Sequence, residues 1–137
     1  MTAYFYLKLY LLTSLLFFTI DLLWLGVFAK NFYQKNLAHL LSTTVNWPAA
    51  LSFYGIYIVG ILLFAVKPAL VEQSLAKAAV WGALFGFFTY ATYDLTNLAT
   101  LRDWPLKVVL IDITWGTLLC TLVASGSYQI GRWLSPG

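Results

Sequence analysis

Residues 9–29 read LYLLTSLLFFTIDLLWLGVFA, an apolar run broken by a single charge, Asp21. A helix needs roughly 20 predominantly apolar residues to cross the hydrocarbon core of a bilayer, and this run is long enough. Three more stretches repeat the pattern. Residues 48–66 carry no charge, residues 78–101 carry only Asp94, and residues 108–131 carry only Asp112. The runs are continuous rather than alternating, which excludes the strands of a membrane barrel. The first run is followed by no small-residue cleavage pattern and is read as a retained span rather than a signal peptide.

The 137-residue composition agrees: 61% of residues are hydrophobic, 18% aromatic and 9% charged, with a mean hydropathy of +0.81. A soluble domain usually carries about 25% charged residues, and a disordered one lacks this much apolar surface. The formal net charge is +3, but the eight Lys and Arg are scattered, so no basic patch for nucleic acid exists. Cys120 is the single cysteine, which excludes an internal disulfide and a thiolate metal cluster. The expected fold is therefore all-α: one integral membrane four-helix bundle, spans 9–29, 48–66, 78–101 and 108–131, both termini on one side.

The longest connector, residues 30–47, has its own periodicity. Tyr33, Leu37, Leu40, Leu41 and Val45 gather on one helical face, and Lys35, Asn36, His39 and Asn46 lie off it. This predicts a helix lying at the membrane interface, with His39 facing headgroups and Trp47-Pro48 opening the second span. Lys67-Pro68 is expected to close that span, and Arg102-Asp103-Trp104-Pro105 to form a tight turn. Lysines and arginines divide four to four between the two sides (Lys8, Lys67, Lys77 and Arg132 against Lys30, Lys35, Arg102 and Lys107), which sets no orientation.

The acids carry the functional signal. Asp21 and Asp94 fall near the ends of parallel spans and Asp112 near the start of the next, so all three lie toward one membrane face. A carboxylate at the bilayer centre costs on the order of 2.5–3.5 kcal/mol, so these groups should face inward. Arg102 and Lys107 are the nearest basic groups, placed to snorkel toward Asp94 and Asp112. Without a countercharge, burial favours a neutral carboxyl, and such a group can exchange protons or bind a cation. Gly82, Gly86, Tyr90, Asp94 and Asn97 share one face of the third span. Gly82-x-x-x-Gly86 is a close-packing pattern there, and Tyr93 adds a hydroxyl. Asp21 with Trp24, and Asp112 with Trp115, form two D-x-x-W pairs, a faint internal repeat.

The candidate binding or proton-handling residues are thus Asp21, Asp94, Asp112, Asn97, Trp24, Trp115, Tyr90 and Tyr93. The plainer alternative makes the aspartates hydrogen-bonding links between helices and Trp24 and Trp115 packing or interfacial residues. Tyr54 and Tyr57, three apart on one face, are assigned to core packing with lining of the polar pocket as the alternative, and Cys120 to a small core hydrophobe. Phosphate-cradling, zinc-protease and nucleophile-elbow motifs are absent, as is a D-D-x-x-D motif. No cofactor is called for and no resident metal is assigned, although carboxylates can take a hard divalent cation through oxygen.

Asp21-Leu-Leu-Trp24-Leu-Gly26, Pro48-Ala49-Ala50 with Tyr54, the run Tyr90-Ala-Thr-Tyr93-Asp94-Leu95-Thr96-Asn97-Leu98-Ala99-Thr100-Leu101, Trp104-Pro105 and Asp112-Ile-Thr-Trp115-Gly116 resemble a family of small bacterial membrane proteins, domain of unknown function 2177. The resemblance spans nearly the whole chain. It implies a multi-pass protein of the bacterial inner membrane and brings no activity or catalytic residues with it. Three functions stay open: a small transporter or channel handling protons or cations, an intramembrane enzyme acting on a lipid or isoprenoid, and an accessory subunit of a membrane complex. The bilayer is the expected partner, with a second copy or a membrane protein as further ones.

Overall fold

The computed structural model describes residues 1–135, and every regular element among them is helical. Helix α1 covers Ala3–Leu23 and passes into a π-helical turn at Trp24–Phe28. The short α2 follows at Lys30–Leu37. Helix α3, Trp47–Ile61, runs through a second π turn, Leu62–Val66, into α4 at Lys67–Glu72. Helices α5, Leu75–Thr100, and α6, Leu106–Leu134, complete the chain. Side-chain caps start three of the rods. Thr2, Asn46 and Ser74 accept the backbone N–H of Phe5, Ala49 and Lys77 at 3.1, 3.2 and 3.1 Å, satisfying donors that no helical carbonyl can reach.

Three rods are long and apolar enough to cross a membrane: Ala3–Phe28, Trp47–Glu72 and Leu106–Leu134. Helix α5 has 26 residues, a length of about 39 Å, but Tyr90, Tyr93, Asp94 and Asn97 dilute its apolarity. The rods run beyond the expected spans at most ends because the capping residues lie outside the apolar runs. The expected stop at Lys67-Pro68 is corrected: the helix continues to Glu72 and ends at Gln73, whose left-handed φ is 52°. Proline lacks an N–H and its ring crowds the carbonyl four residues earlier. The π turn just before Pro68, where Lys67 N–H bonds the Leu62 carbonyl, accommodates that ring without breaking the rod.

The connector helix is shorter than expected. Helix α2 ends at Leu37, and Leu40, Leu41 and Val45 are exposed. Its apolar face packs on the beginning of α6, where Leu37, Trp104, Val108 and Val109 are buried against Phe32, Tyr33 and Ile113. His39 Nε2 sits 2.9 Å from the Asp103 carbonyl oxygen, joining the first and last connectors.

Each rod divides into an inner and an outer face, both apolar. On α1, Phe5, Leu9, Thr13, Phe17 and Asp21 are buried at steps of four, and Leu7, Leu11, Leu15 and Leu22 are at least half exposed. An outer face of leucines suits lipid and no other solvent. Hydroxyl side chains inside the rods bond to their own helix or to a neighbouring one. Thr13 and Ser127 share a 2.7 Å hydrogen bond between α1 and α6. Thr89, Thr92, Thr96, Thr100, Thr117 and Thr121 each donate to the carbonyl four residues back.

Helices α5 and α6 make the closest contact. A Cβ on Gly82 would lie 2.6 Å from the Cys120 carbonyl oxygen and 2.6 Å from Ala124 Cβ. One on Gly86 would strike the Gly116 carbonyl and approach Cys120 Cβ to 2.8 Å. Both obstacles include backbone, which cannot rotate away, so the small residues set the helix separation. Gly86→Ala is expected to lower stability by about 1–3 kcal/mol, whereas Gly26→Ala, with nothing within 4 Å of the added carbon, should change it by under ~0.5 kcal/mol. Thermal unfolding of the two variants in detergent checks the contrast.

Candidate functional site

The two D-x-x-W pairs meet face to face at the end of the rods where α2 packs. The Trp24 and Trp115 rings stack, centroids 4.5 Å apart and planes inclined by 11°. Each indole then serves the aspartate of the other pair. Trp115 Nε1–H donates to Asp21 Oδ1 at 3.2 Å, and Tyr54 O–H donates to Asp21 Oδ2 at 3.3 Å. Trp24 Nε1–H donates to the Tyr33 hydroxyl at 3.2 Å, and that hydroxyl donates to Asp112 Oδ1 at 2.8 Å. Burial, and next the neighbouring Asp112 charge, push the Tyr33 phenol well above its ordinary pKa, so it stays a donor at physiological pH.

Position in the helices explains the exchange. Three residues along a helix return to nearly the same face, so each D-x-x-W presents its acid and its indole together. The π turn begins at Trp24 itself, and π turns recur where a side chain has been re-aimed at a functional site.

Asp94 is different. It is fully buried, and neither carboxyl oxygen has a hydrogen-bond donor. The Asp112 carboxyl lies within hydrogen-bonding reach of it, but two carboxylates are both acceptors and cannot bond without a proton or cation between them. The Trp104 Nε1–H is also buried without an acceptor. Arg102 and Lys107 remain exposed and do not snorkel to the aspartates as expected. The ion pair found among the described residues is Lys77–Glu72 at 2.6 Å, at the other end of α5.

Between the rods lies a cavity of about 500 Å³, lined by Asp21, Asp112, Tyr33, Tyr54, Tyr57, Tyr90, Tyr93 and Trp115 together with Phe53, Leu25 and Thr89. Of the sequence candidates, Asp21, Asp112, Trp115, Tyr90 and Tyr93 line it. Trp24 backs Trp115, Asp94 sits behind Asp112, and half-buried Asn97 lies outside it. Tyr54 and Tyr57 take both of the roles open to them. They contribute to the core and also line the cavity, where Tyr57 O–H pairs with Thr89 at 2.8 Å. Sequence reasoning also missed Tyr33, counted only as part of an apolar connector face. Its single signal was its place one helical turn before Leu37 on that face. The Tyr90 ring lies over Gly116, where any Cβ would strike it. The aspartates do not form a metal-ligand group: among the described residues no three of His, Cys, Asp and Glu converge as one.

A family model described as a predicted membrane protein, domain of unknown function 2177, matches residues 6–129, and the chain belongs to that family. Among curated proteins it is similar to a fluoride-specific ion channel of Magnetococcus marinus. The two are 24% identical over 110 residues, covering 79% of this chain and 89% of that protein. No solved structure matches.

The Tyr33 hydroxyl links Trp24 to Asp112, so Tyr33→Phe removes an acceptor from one and a donor from the other. The expected loss of stability is about 1–3 kcal/mol, with altered Trp24 emission. Tyr6→Phe, which gives up only an exposed contact to the Met1 sulfur at 3.8 Å, serves as the reference and should stay within ~0.5 kcal/mol of the parent. Fluorescence-monitored denaturation separates them.

Proposed function

We propose that this protein is a small multi-pass transport protein that handles protons or cations through Asp21, Asp94 and Asp112. One observation carries the reading: three inward carboxyls, one of them buried with both oxygens lacking a donor, and no basic residue among them. Such groups are costly in a membrane interior and accumulate along ion and proton pathways. The roles divide by hydrogen bonding. Asp21 holds a donor on each oxygen and serves as the fixed negative charge. Asp94 and Asp112 form the exchangeable pair, in which one proton shared between them replaces two facing acceptors with a hydrogen bond. Tyr93, Tyr90 and the stacked tryptophans form the wall beside the acids, and Asn97 flanks the pair on α5.

The likeness to an ion channel supports the class of function. The acidic lining argues for a cation or proton as the species handled here, because carboxylates repel an anion such as the fluoride named for that relative. Helix α5 serves as the fourth span. Its outer face carries Val80, Trp81, Leu84, Phe87 and Phe88, all well exposed, and its polar stripe turns to α6. The four rods then form one bundle with both termini on one side, in the bacterial inner membrane. An accessory role has less support, because Gly82 and Gly86, the close-packing pair, are occupied by α6 within the chain.

The test is proton flux into proteoliposomes loaded with a pH-sensitive dye. The parent protein is expected to conduct under an imposed gradient, and Asp94→Asn to slow it by roughly tenfold or more, equivalent to about 1.4 kcal/mol of barrier. Flux of fluoride that is indifferent to all three Asp→Asn substitutions would refute the reading.

A further inference from the structure

A proton pathway needs a file of groups or waters and no more, yet the acids border a cavity of about 500 Å³. At ~30 Å³ per water this is room for on the order of fifteen waters, and it falls in the range of small-molecule sites, ~300–1,000 Å³. The volume asks for an occupant larger than a proton.

The lining defines its chemistry. Asp21 and Asp112 supply negative charge, and no lysine, arginine or histidine lines the cavity. Behind Asp112, Asp94 adds a further buried carboxyl without a protein donor, and one proton shared by that pair still leaves it and Asp21 negative, which calls for a positive occupant. A bare metal ion fits poorly, because the aspartates do not converge as a ligand set and the remaining wall is aromatic. Phe53, Tyr54, Tyr57, Tyr90, Tyr93 and Trp115 bring rings to one space. Aromatic rings around a carboxylate attract a poorly hydrated organic cation, through ring quadrupoles and apolar contact at once. They do little for a strongly hydrated ion. Trp115 is anchored for this purpose. Its indole N–H is committed to Asp21 and one ring face to Trp24, so the ring is held in a fixed place in the cavity wall.

From this cavity we infer that the protein binds an organic ammonium ion, held by the Asp21 and Asp112 carboxylates within the aromatic wall. The inference rests on the transport reading above and names the substrate class for its site. The same ammonium chemistry is offered by a free hydrophobic amine and by the headgroup of a zwitterionic lipid.

The test is quenching of tryptophan emission in the purified full-length chain by benzyltrimethylammonium, beside its uncharged carbon analogue and benzenesulfonate. Saturable quenching by the ammonium alone is expected. Asp21→Asn should weaken it about tenfold, and Tyr54→Leu should weaken it more than Tyr54→Phe, which keeps the ring. Should Asp21→Asn fail to fold, the Tyr54 pair still decides. Equal binding of the uncharged analogue, or affinity indifferent to both Asp21 and the Tyr54 ring, overturns the inference. Repeating the titration in nanodiscs separates the sources. Affinity that drops in phosphatidylethanolamine relative to phosphatidylglycerol identifies a headgroup as the occupant, and equal affinity identifies a free amine. Proton flux that depends on Asp94 in a protein that never binds the ammonium sinks this inference and leaves the transport reading intact. Ammonium binding with flux indifferent to Asp94 does the reverse.

Discussion

The stacked contact of Trp24 on Trp115 holds together the end of the molecule that carries the candidate site. It joins the first and last long helices at the level where their aspartates fall, and its two indole N–H groups serve different acids. One goes to Asp21 directly and the other to Asp112 through Tyr33. A buried carboxylate needs hydrogen-bond donors, and here they come from the chain. Tryptophan and tyrosine supply donors without adding charge. The aspartates therefore keep their negative character available to whatever enters the cavity, which a lysine or arginine partner would have cancelled.

The same stack explains why a short connector helix matters. Helix α2 has eight residues and would be unstable alone. It is held because Phe32, Tyr33 and Leu37 bury against Trp104, Val108 and Val109, and that docking delivers the Tyr33 hydroxyl to Asp112. At the opposite wall, the glycine contact between α5 and α6 places Tyr90 over Gly116 and brings Asp94 beside Asp112. Helix proximity and side-chain chemistry are thus one design: the positions without side chains bring together those that carry the carboxyls and phenols.

The membrane character and the long apolar runs were legible in the sequence, because length and hydropathy alone bound a span. The family was legible too, through the D-x-x-W pairs and the Tyr93–Leu101 run. The inner faces were not. Leu9 and Leu11 are chemically the same residue, yet one is buried and the other faces lipid, since both faces of such a helix are apolar and periodicity is silent. The cavity tyrosines were hidden for the same reason: Tyr54 and Tyr57 look alike as core or lining until the neighbouring helix is placed. The π turns carried no signal that was read, although Pro68 in a continuous apolar run is the mark of the second. The snorkelling expected of Arg102 and Lys107 is not seen, because both side chains are exposed and, among the described residues, neither pairs with an aspartate.

Infrared spectroscopy of the purified protein tests the central claim, a proton held between Asp94 and Asp112, most directly. A hydrogen-bonded, protonated carboxyl has a carbonyl stretch separate from the carboxylate bands. The account predicts that this band is present at neutral pH, disappears in both Asp94→Asn and Asp112→Asn, and survives Asp21→Asn, because Asp21 has its donors already. A spectrum without a protonated carboxyl, or a band removed by Asp21→Asn alone, would contradict it.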